Sequence, residues 1–172
     1  VYDTLYPIER DRIYKKNKIY SIRLRGVNIQ LLNKMAMAIY NHSYAGMKAI
    51  DVELNSVEVK KINKIYTLKP VIVTIDNKPW LEQNSTIDIL SKQLNSNVEK
   101  KLNQIYEDNK YKNTPTFIES IEIKNKVPIK YVYKSISLLG NKMEINIKED
   151  ECSQKKGLII LALGLGEKGS SL

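Results

Sequence analysis

The stretch Ser85–Glu107, "STIDILSKQLNSNVEKKLNQIYE", decides how the rest of the chain is read. Ile87, Leu90, Leu94, Val98, Leu102 and Ile105 recur every three or four residues, so a helix gathers them into one apolar stripe. Ser85 and Asp88 are spaced to form a capping box at its start. The segments on either side change period. Upstream, "IYTLKPVIVTI" (Ile65–Ile75) reads as a strand in which Pro70 favours an edge or a bulge. Downstream, "FIESIEIKN" (Phe117–Asn125), "VPIKYVYKS" (Val127–Ser135) and "KMEINIKED" (Lys142–Asp150) alternate at period two and should form a sheet, the last two as a hairpin through "ISLLGN". "ECSQKKGLIILAL" (Glu151–Leu163) fits either type by its apolar run, and Gly157 weighs against a helix; it is carried forward as a helix leading into a glycine-rich loop.

The N-terminal part repeats the theme with weaker signals. "KIYSIRLRG" (Lys18–Gly26) alternates as a strand with Ile22 and Leu24 on one face and Arg23 and Arg25 on the other. "VYDTLYPI" is a weaker strand, joined to it by the charged turn "ERDRIYKKN". "NIQLLNKMAMAIYN" places Leu31, Leu32, Met35, Ile39 and Tyr40 at helical spacing behind Asn28 as N-cap, a stripe better read as core than as a cofactor box. "GMKAIDVELNSVEVKKI" alternates again and should be strand.

The pattern starts afresh near Asn63, which separates residues 1–62 from residues 63–172. The expected fold class is therefore α+β, with tandem ferredoxin-like (βαββαβ, RRM-like) domains, the first lacking its opening strand and helix and the second its last strand. A chain cut at both ends would account for both gaps and for Val1 in place of an initiator Met.

With 28 Lys+Arg against 19 Asp+Glu the formal net charge is +9, which suits an anionic partner such as nucleic acid or a membrane surface. The excess is nearly all lysine in a chain also rich in Ile, Asn and Tyr, so a compositional drift is the competing explanation. No apolar run reaches the ~18 residues of a membrane span, and the single cysteine, Cys152, fits a reducing, cytoplasmic setting and reads as a small buried hydrophobe. One histidine, one cysteine and no clustered carboxylates make no metal-ligand set.

The C-terminal "ALGLGEKGSSL" matches G-x-G-x-x-G through Gly164, Gly166 and Gly169. A dinucleotide loop must open a helix within a βαβ unit, and a P-loop needs a lysine where Ser170 stands, so no cofactor is expected. Three glycines still imply that something packs against this backbone.

The order of segments, the basic charge and "LGLGEKGSSL" together resemble the CRISPR-associated endoribonucleases that trim precursor CRISPR RNA at its repeats, the sixth Cas protein of the RAMP superfamily. "KNKIYSIRLRG", "IYTLKPVIVT", "FIESIEIKNKVPIKY" and "GNKMEINIKED" also look like members of that family. Its C-terminal loop reads G-h-G, a basic linker, then G-h-G; Gly164, Leu165 and Gly166 match the first part, and "EKGSS" with Lys168 looks like the linker. The resemblance implies metal-independent cleavage of repeat RNA for antiviral defence, in which the 2′-hydroxyl attacks the scissile phosphate to leave 2′,3′-cyclic phosphate and 5′-hydroxyl ends. It also implies that the glycine loop packs against RNA. CRISPR repeat RNA is then the expected partner, with other CRISPR effector-complex subunits or a homodimer left open.

Such chemistry wants a proton-transfer group with a pKa near 7 and cations on the developing phosphorane charge. His42, the only histidine, is the catalytic candidate, flanked by Tyr40 and Tyr44; a surface histidine at a helix C-terminus is the competing reading. The family's usual histidine comes from the first helix of the N-terminal domain, which on this reading lies upstream of Val1. For RNA contact the candidates are Gly164, Gly166, Lys168, Gly169 and Ser170 in the loop, Arg23 and Arg25 on the first strand, and Lys124, Lys126, Lys130 and Lys134 in the hairpin region. Trp80 reads as core rather than as a base-stacking platform. A non-catalytic RNA-binding module, or a structural subunit of a CRISPR ribonucleoprotein, is the alternative function.

Overall fold

The structure, a computed structural model, describes residues 5–11, 13–107, 111–133 and 136–166. It is mixed α+β and divides into two compact units, Val1–Glu58 and Val59–Leu172.

In the first unit, helix α1 (Ile29–Asn41) starts where the Asn28 side chain accepts the Leu31 N–H at 2.9 Å. Two-residue strands β1 (Ser43–Tyr44) and β2 (Met47–Lys48) form a minimal hairpin behind it. Two expectations fail here, and one is met only by isolated bridges. The segment Lys18–Gly26 forms no named strand, but Ser21 and Leu24 are bridge residues, and Tyr6 and Ser21 exchange N–H···O bonds of 2.8 and 2.7 Å. Of Gly46–Ile62, only Met47–Lys48 lies in a strand. Leu31, Met35, Ile39 and Tyr40 are exposed, and no residue of α1 is buried. For the two strand segments the physical reason is the same: a strand is stable only when neighbours satisfy its backbone and cover a face, and periodicity alone supplies neither.

The second unit holds every buried apolar side chain among the described residues, from Ile62 to Leu165. Its sheet has three antiparallel strands in the order β3 (Lys64–Tyr66), β9 (Met143–Ile147), β6 (Ile118–Ile123). Met143, Ile145 and Ile147 of the central strand are buried while Glu144 and Asn146 lie on the other face, the alternation of a sheet covered on one side. Helices α2 (Ile87–Tyr106) and α3 (Glu151–Leu163) join that apolar face through Leu90, Leu94, Val98 and Leu102 on one and Ile159 and Ile160 on the other.

The cap of α2 is Thr86 rather than Ser85: its hydroxyl accepts from the Ile89 N–H, and Trp80 Nε1 donates to the Thr86 carbonyl at 3.2 Å, tying the buried indole to the helix start. The Ile65–Ile75 segment breaks at Pro70. Val71 keeps a bridge to Asn141, and Thr74–Ile75 (β4) turns back on Lys78–Pro79 (β5). The 151–163 segment is a helix, capped by Asp150, in which Gly157 lets Ile62 approach closely.

The hairpin is also re-paired. Strand β7 (Ile129–Tyr133) pairs with β8 (Ile136–Gly140), the segment expected to be the connection, and Met143–Ile147 pairs with β6 instead. Asn125 marks the branch point: its side chain accepts the Lys142 N–H at 2.6 Å and donates to Asn141 Oδ1 at 2.8 Å, carrying the ladder past the place where the β7–β8 hairpin leaves it. The central position goes to the strand with three fully apolar inward residues, because that position buries most.

Candidate nucleic-acid interface

The glycine turn begins where α3 ends. The Gly164 N–H donates to the Ile160 carbonyl at 2.7 Å and the residue adopts φ 80°, a conformation open to glycine and strained for any other residue. Leu165, fully buried, anchors the turn in the core. From α2, Lys101 Nζ donates to the Gly164 carbonyl at 2.5 Å and to the Gly166 carbonyl at 3.0 Å. Burial lowers the Lys101 pKa to about 8. Lys168, Gly169 and Ser170 of the same loop, and Lys134 of the hairpin, lie outside the described residues.

The other basic candidates differ in their settings. Lys124 pairs with Glu122 at 2.7 Å and Glu144 at 2.8 Å, and Glu144 also pairs with Lys64. These contacts, Lys124 first, hold the Glu144 carboxyl below its usual range and raise Lys124, chiefly through Glu122. This polar sheet face is therefore close to charge-neutral, and Lys124 is engaged within it. Lys126 and Lys130 are exposed, Lys130 on β7 opposite Leu139. They stand among exposed Val127, Tyr131, Val132 and Ile136, so the hairpin offers both cations and apolar surface. In the first unit Arg23 is exposed and Arg25 half-buried.

His42 is the C-cap residue of α1 and is exposed, as are Tyr40 and Tyr44. Among the described residues none of these three side chains makes a hydrogen bond, so no described contact orients the imidazole for proton transfer.

Sequence reasoning missed a buried ionic cluster that joins α3 to α2. Lys156, with no exposed surface, donates to Asn95 Oδ1 at 2.7 Å and the Pro115 carbonyl at 2.8 Å, and lies 3.4 Å from Glu99 Oε1. Glu99 in turn accepts from Asn95 Nδ2 (2.9 Å), the Thr114 N–H (2.9 Å), Thr114 Oγ1 (2.6 Å) and the Asn113 N–H (3.3 Å). Burial lowers the Lys156 pKa and the Glu99 charge opposes that shift. The cluster backs an open groove of about 340 Å³ lined by Lys92, Asn95, Ser96, Glu99, Thr114 and Thr116. Once 151–163 is known to be helical, Lys156 falls three and four residues from Ser153, Ile159 and Ile160 on the buried face, the one signal that could have found it.

No group of three or more His, Cys, Asp or Glu side chains able to hold a metal occurs among the described residues, and no described helix is long and apolar enough to cross a membrane. No family profile, curated protein or solved structure matches the chain.

Proposed function

We propose that this chain binds RNA and acts with the repeat-processing endoribonucleases it resembles, cleaving CRISPR repeat RNA without metal to leave 2′,3′-cyclic phosphate and 5′-hydroxyl ends. The observation that carries the reading is the topology of the second unit. Taken in order, β3, α2, β6, β9 and α3, with the sheet ordered β3–β9–β6, correspond to the first five elements of a ferredoxin-like βαββαβ domain. The β7–β8 hairpin is an insertion between the second and third strands, and the glycine turn follows the second helix directly. A net charge of +9 supports a polyanionic ligand.

In this reading the glycine loop and the hairpin lysines Lys126 and Lys130 grip the RNA backbone. His42 moves a proton at the attacking 2′-hydroxyl or the leaving 5′-oxygen. A second reading, an RNA-binding module or structural subunit that cuts nothing, is favoured by the exposed and unsupported setting of His42.

One experiment separates them. The protein is incubated with CRISPR repeat RNA in EDTA, and the products are resolved on a denaturing gel and tested for a cyclic phosphate end. The expected result is cleavage at one site, lost in His42→Ala. Binding without cleavage would install the second reading, and absence of binding would remove both.

A further inference from the structure

We propose that the groove between α2 and the loop 113–116 is a guanine subsite: Glu99 Oε2 accepts from the Watson–Crick edge of a single unstacked base, and Lys92 meets the phosphate attached to it. That the base belongs to RNA rests on the function proposed above; the chemistry of the groove does not.

Lys92, Ser96 and Glu99 follow one another at spacings of four and three residues, so α2 brings them to one face, and the loop carrying Asn113, Thr114 and Thr116 forms the opposite wall. The volume of about 340 Å³ is at the small end of ligand-binding clefts and suits one base. Within it the Glu99 carboxylate is unevenly satisfied. Oε1 accepts from Asn95 Nδ2 and from both the N–H and the hydroxyl of Thr114, and lies 3.4 Å from Lys156. Among the described residues Oε2 accepts only the Asn113 N–H, at 3.3 Å, which is long for such a bond. A carboxylate oxygen has room for two donors, and one so weakly held in a side chain only 11 % exposed calls for another. The groups around it are uncommitted. Among the described residues the Ser96 hydroxyl and the Asn113 side chain make no hydrogen bond, and Lys92 makes no ion pair.

Charge decides what kind of donor the groove takes. The Lys156 ammonium already stands beside this carboxylate and exposed Lys92 adds a second positive charge, so a cationic ligand would be repelled there. A neutral N–H donor tethered to an anion meets both Glu99 and Lys92 without that cost, and this is the chemistry of a nucleotide. Among the four RNA bases only guanine carries two adjacent donors, N1–H and N2–H, on its Watson–Crick edge. Adenine, cytosine and uracil each set an acceptor beside their donor, and that acceptor would face the carboxylate. Guanine also offers O6 as an acceptor, for which Ser96 and Asn113 carry free donors. Single-stranded RNA is read in this way, through the edges of splayed-out bases.

The test titrates the isotope-labelled full chain with GMP, IMP, AMP, CMP, UMP and guanosine to millimolar concentration and follows its backbone amide signals by NMR. It needs no substitution of Glu99, whose loss would also disturb Lys156. GMP is expected to shift the amides of Lys92, Ser96, Glu99 and Thr114. IMP lacks only the N2 amino group, so it should bind about tenfold more weakly, the effect of losing one hydrogen bond to a charged acceptor. AMP, CMP and UMP should bind no more tightly than IMP. Lys92→Met, which keeps the stem and removes the charge, should weaken GMP by up to about fivefold and leave guanosine, which has no phosphate, unchanged.

Equal affinity for GMP and IMP overturns the guanine assignment, because N2 then meets no acceptor. Amide shifts confined to residues outside α2 and the loop 113–116, or no shift with millimolar GMP, overturn the site. Equal losses of GMP and guanosine in Lys92→Met overturn the role given to Lys92. A second arm adds repeat stem-loop RNA to the GMP-bound chain. Displacement of GMP assigns the base to RNA, whereas RNA that binds and leaves GMP in place makes the groove a site for free nucleotide and overturns the RNA clause. If the chain binds no RNA, the proposed function fails, while the GMP and IMP titrations still decide what the groove takes.

Discussion

Lys156 shows what a single charge can do when the surroundings are built for it. A buried ammonium is tolerated because Asn95, Pro115 and Glu99 supply oxygens, and the Glu99 carboxylate is tolerated because Lys156, Asn95, Asn113 and Thr114 supply donors. Neither is stable there without most of the others. Lys156→Met keeps the stem's volume but strands part of the carboxylate's compensation, so the variant should lose about 3 kcal/mol in urea unfolding, the lower end for breaking a buried pair because the Thr114 and Asn113 donors remain. A loss below about 1 kcal/mol would mean that Glu99 is satisfied without the cation, and the cluster would then be a packing detail.

At the scale of elements, two glycines make opposite predictions. A Cβ on Gly140, at the end of β8, would lie 2.8 Å from the Val71 carbonyl oxygen, a backbone atom already bound to the Asn141 N–H. That atom cannot retreat without opening the Val71–Asn141 bridge, so Gly140→Ala should cost about 2 kcal/mol. A Cβ on Gly157, inside α3, would meet Ile62 Cδ1 at 3.1 Å, the far end of a side chain that can rotate. Alanine is the better helix former by about 1 kcal/mol, so Gly157→Ala should fall within about 1 kcal/mol of neutral. Urea midpoints at constant m-value check both; a destabilisation of Gly157→Ala equal to that of Gly140→Ala would show that Ile62 is not free to adjust.

At the scale of the whole molecule, the division of buried surface is uneven. Every buried apolar side chain described lies in Val59–Leu172, whereas the helix of Val1–Glu58 buries none of its residues. Residues 59–172 produced alone should therefore melt cooperatively, at a midpoint within about 5 °C of the full chain. Calorimetry decides this: a broad, non-cooperative transition would show that the core between α2, α3 and the sheet depends on the first 58 residues.

What the sequence by itself determined was the identity of the strongly periodic elements and little of their partners. The α2 stripe, the Asn28 cap, the β6 and β9 alternation and the α+β class were all legible, because three- and four-residue spacing, capping chemistry and period-two alternation are local properties. The Thr86 cap was missed by one residue because Ser85 and Thr86 carry the same capping chemistry, and only the tie from Trp80 to the Thr86 carbonyl marks where the helix starts. Pairing was decided by tertiary structure. "ISLLG" has a strand's composition but stands where the alternating runs on either side leave a connection, and it is a strand because β7 offers it a complete antiparallel ladder while β9 takes the centre of the sheet through Met143, Ile145 and Ile147. The site divides in the same way. Glycines spaced for a turn can be read in a sequence, but the lysine that closes on their carbonyls sits 63 residues earlier, and only the packing of α2 against α3 brings it there.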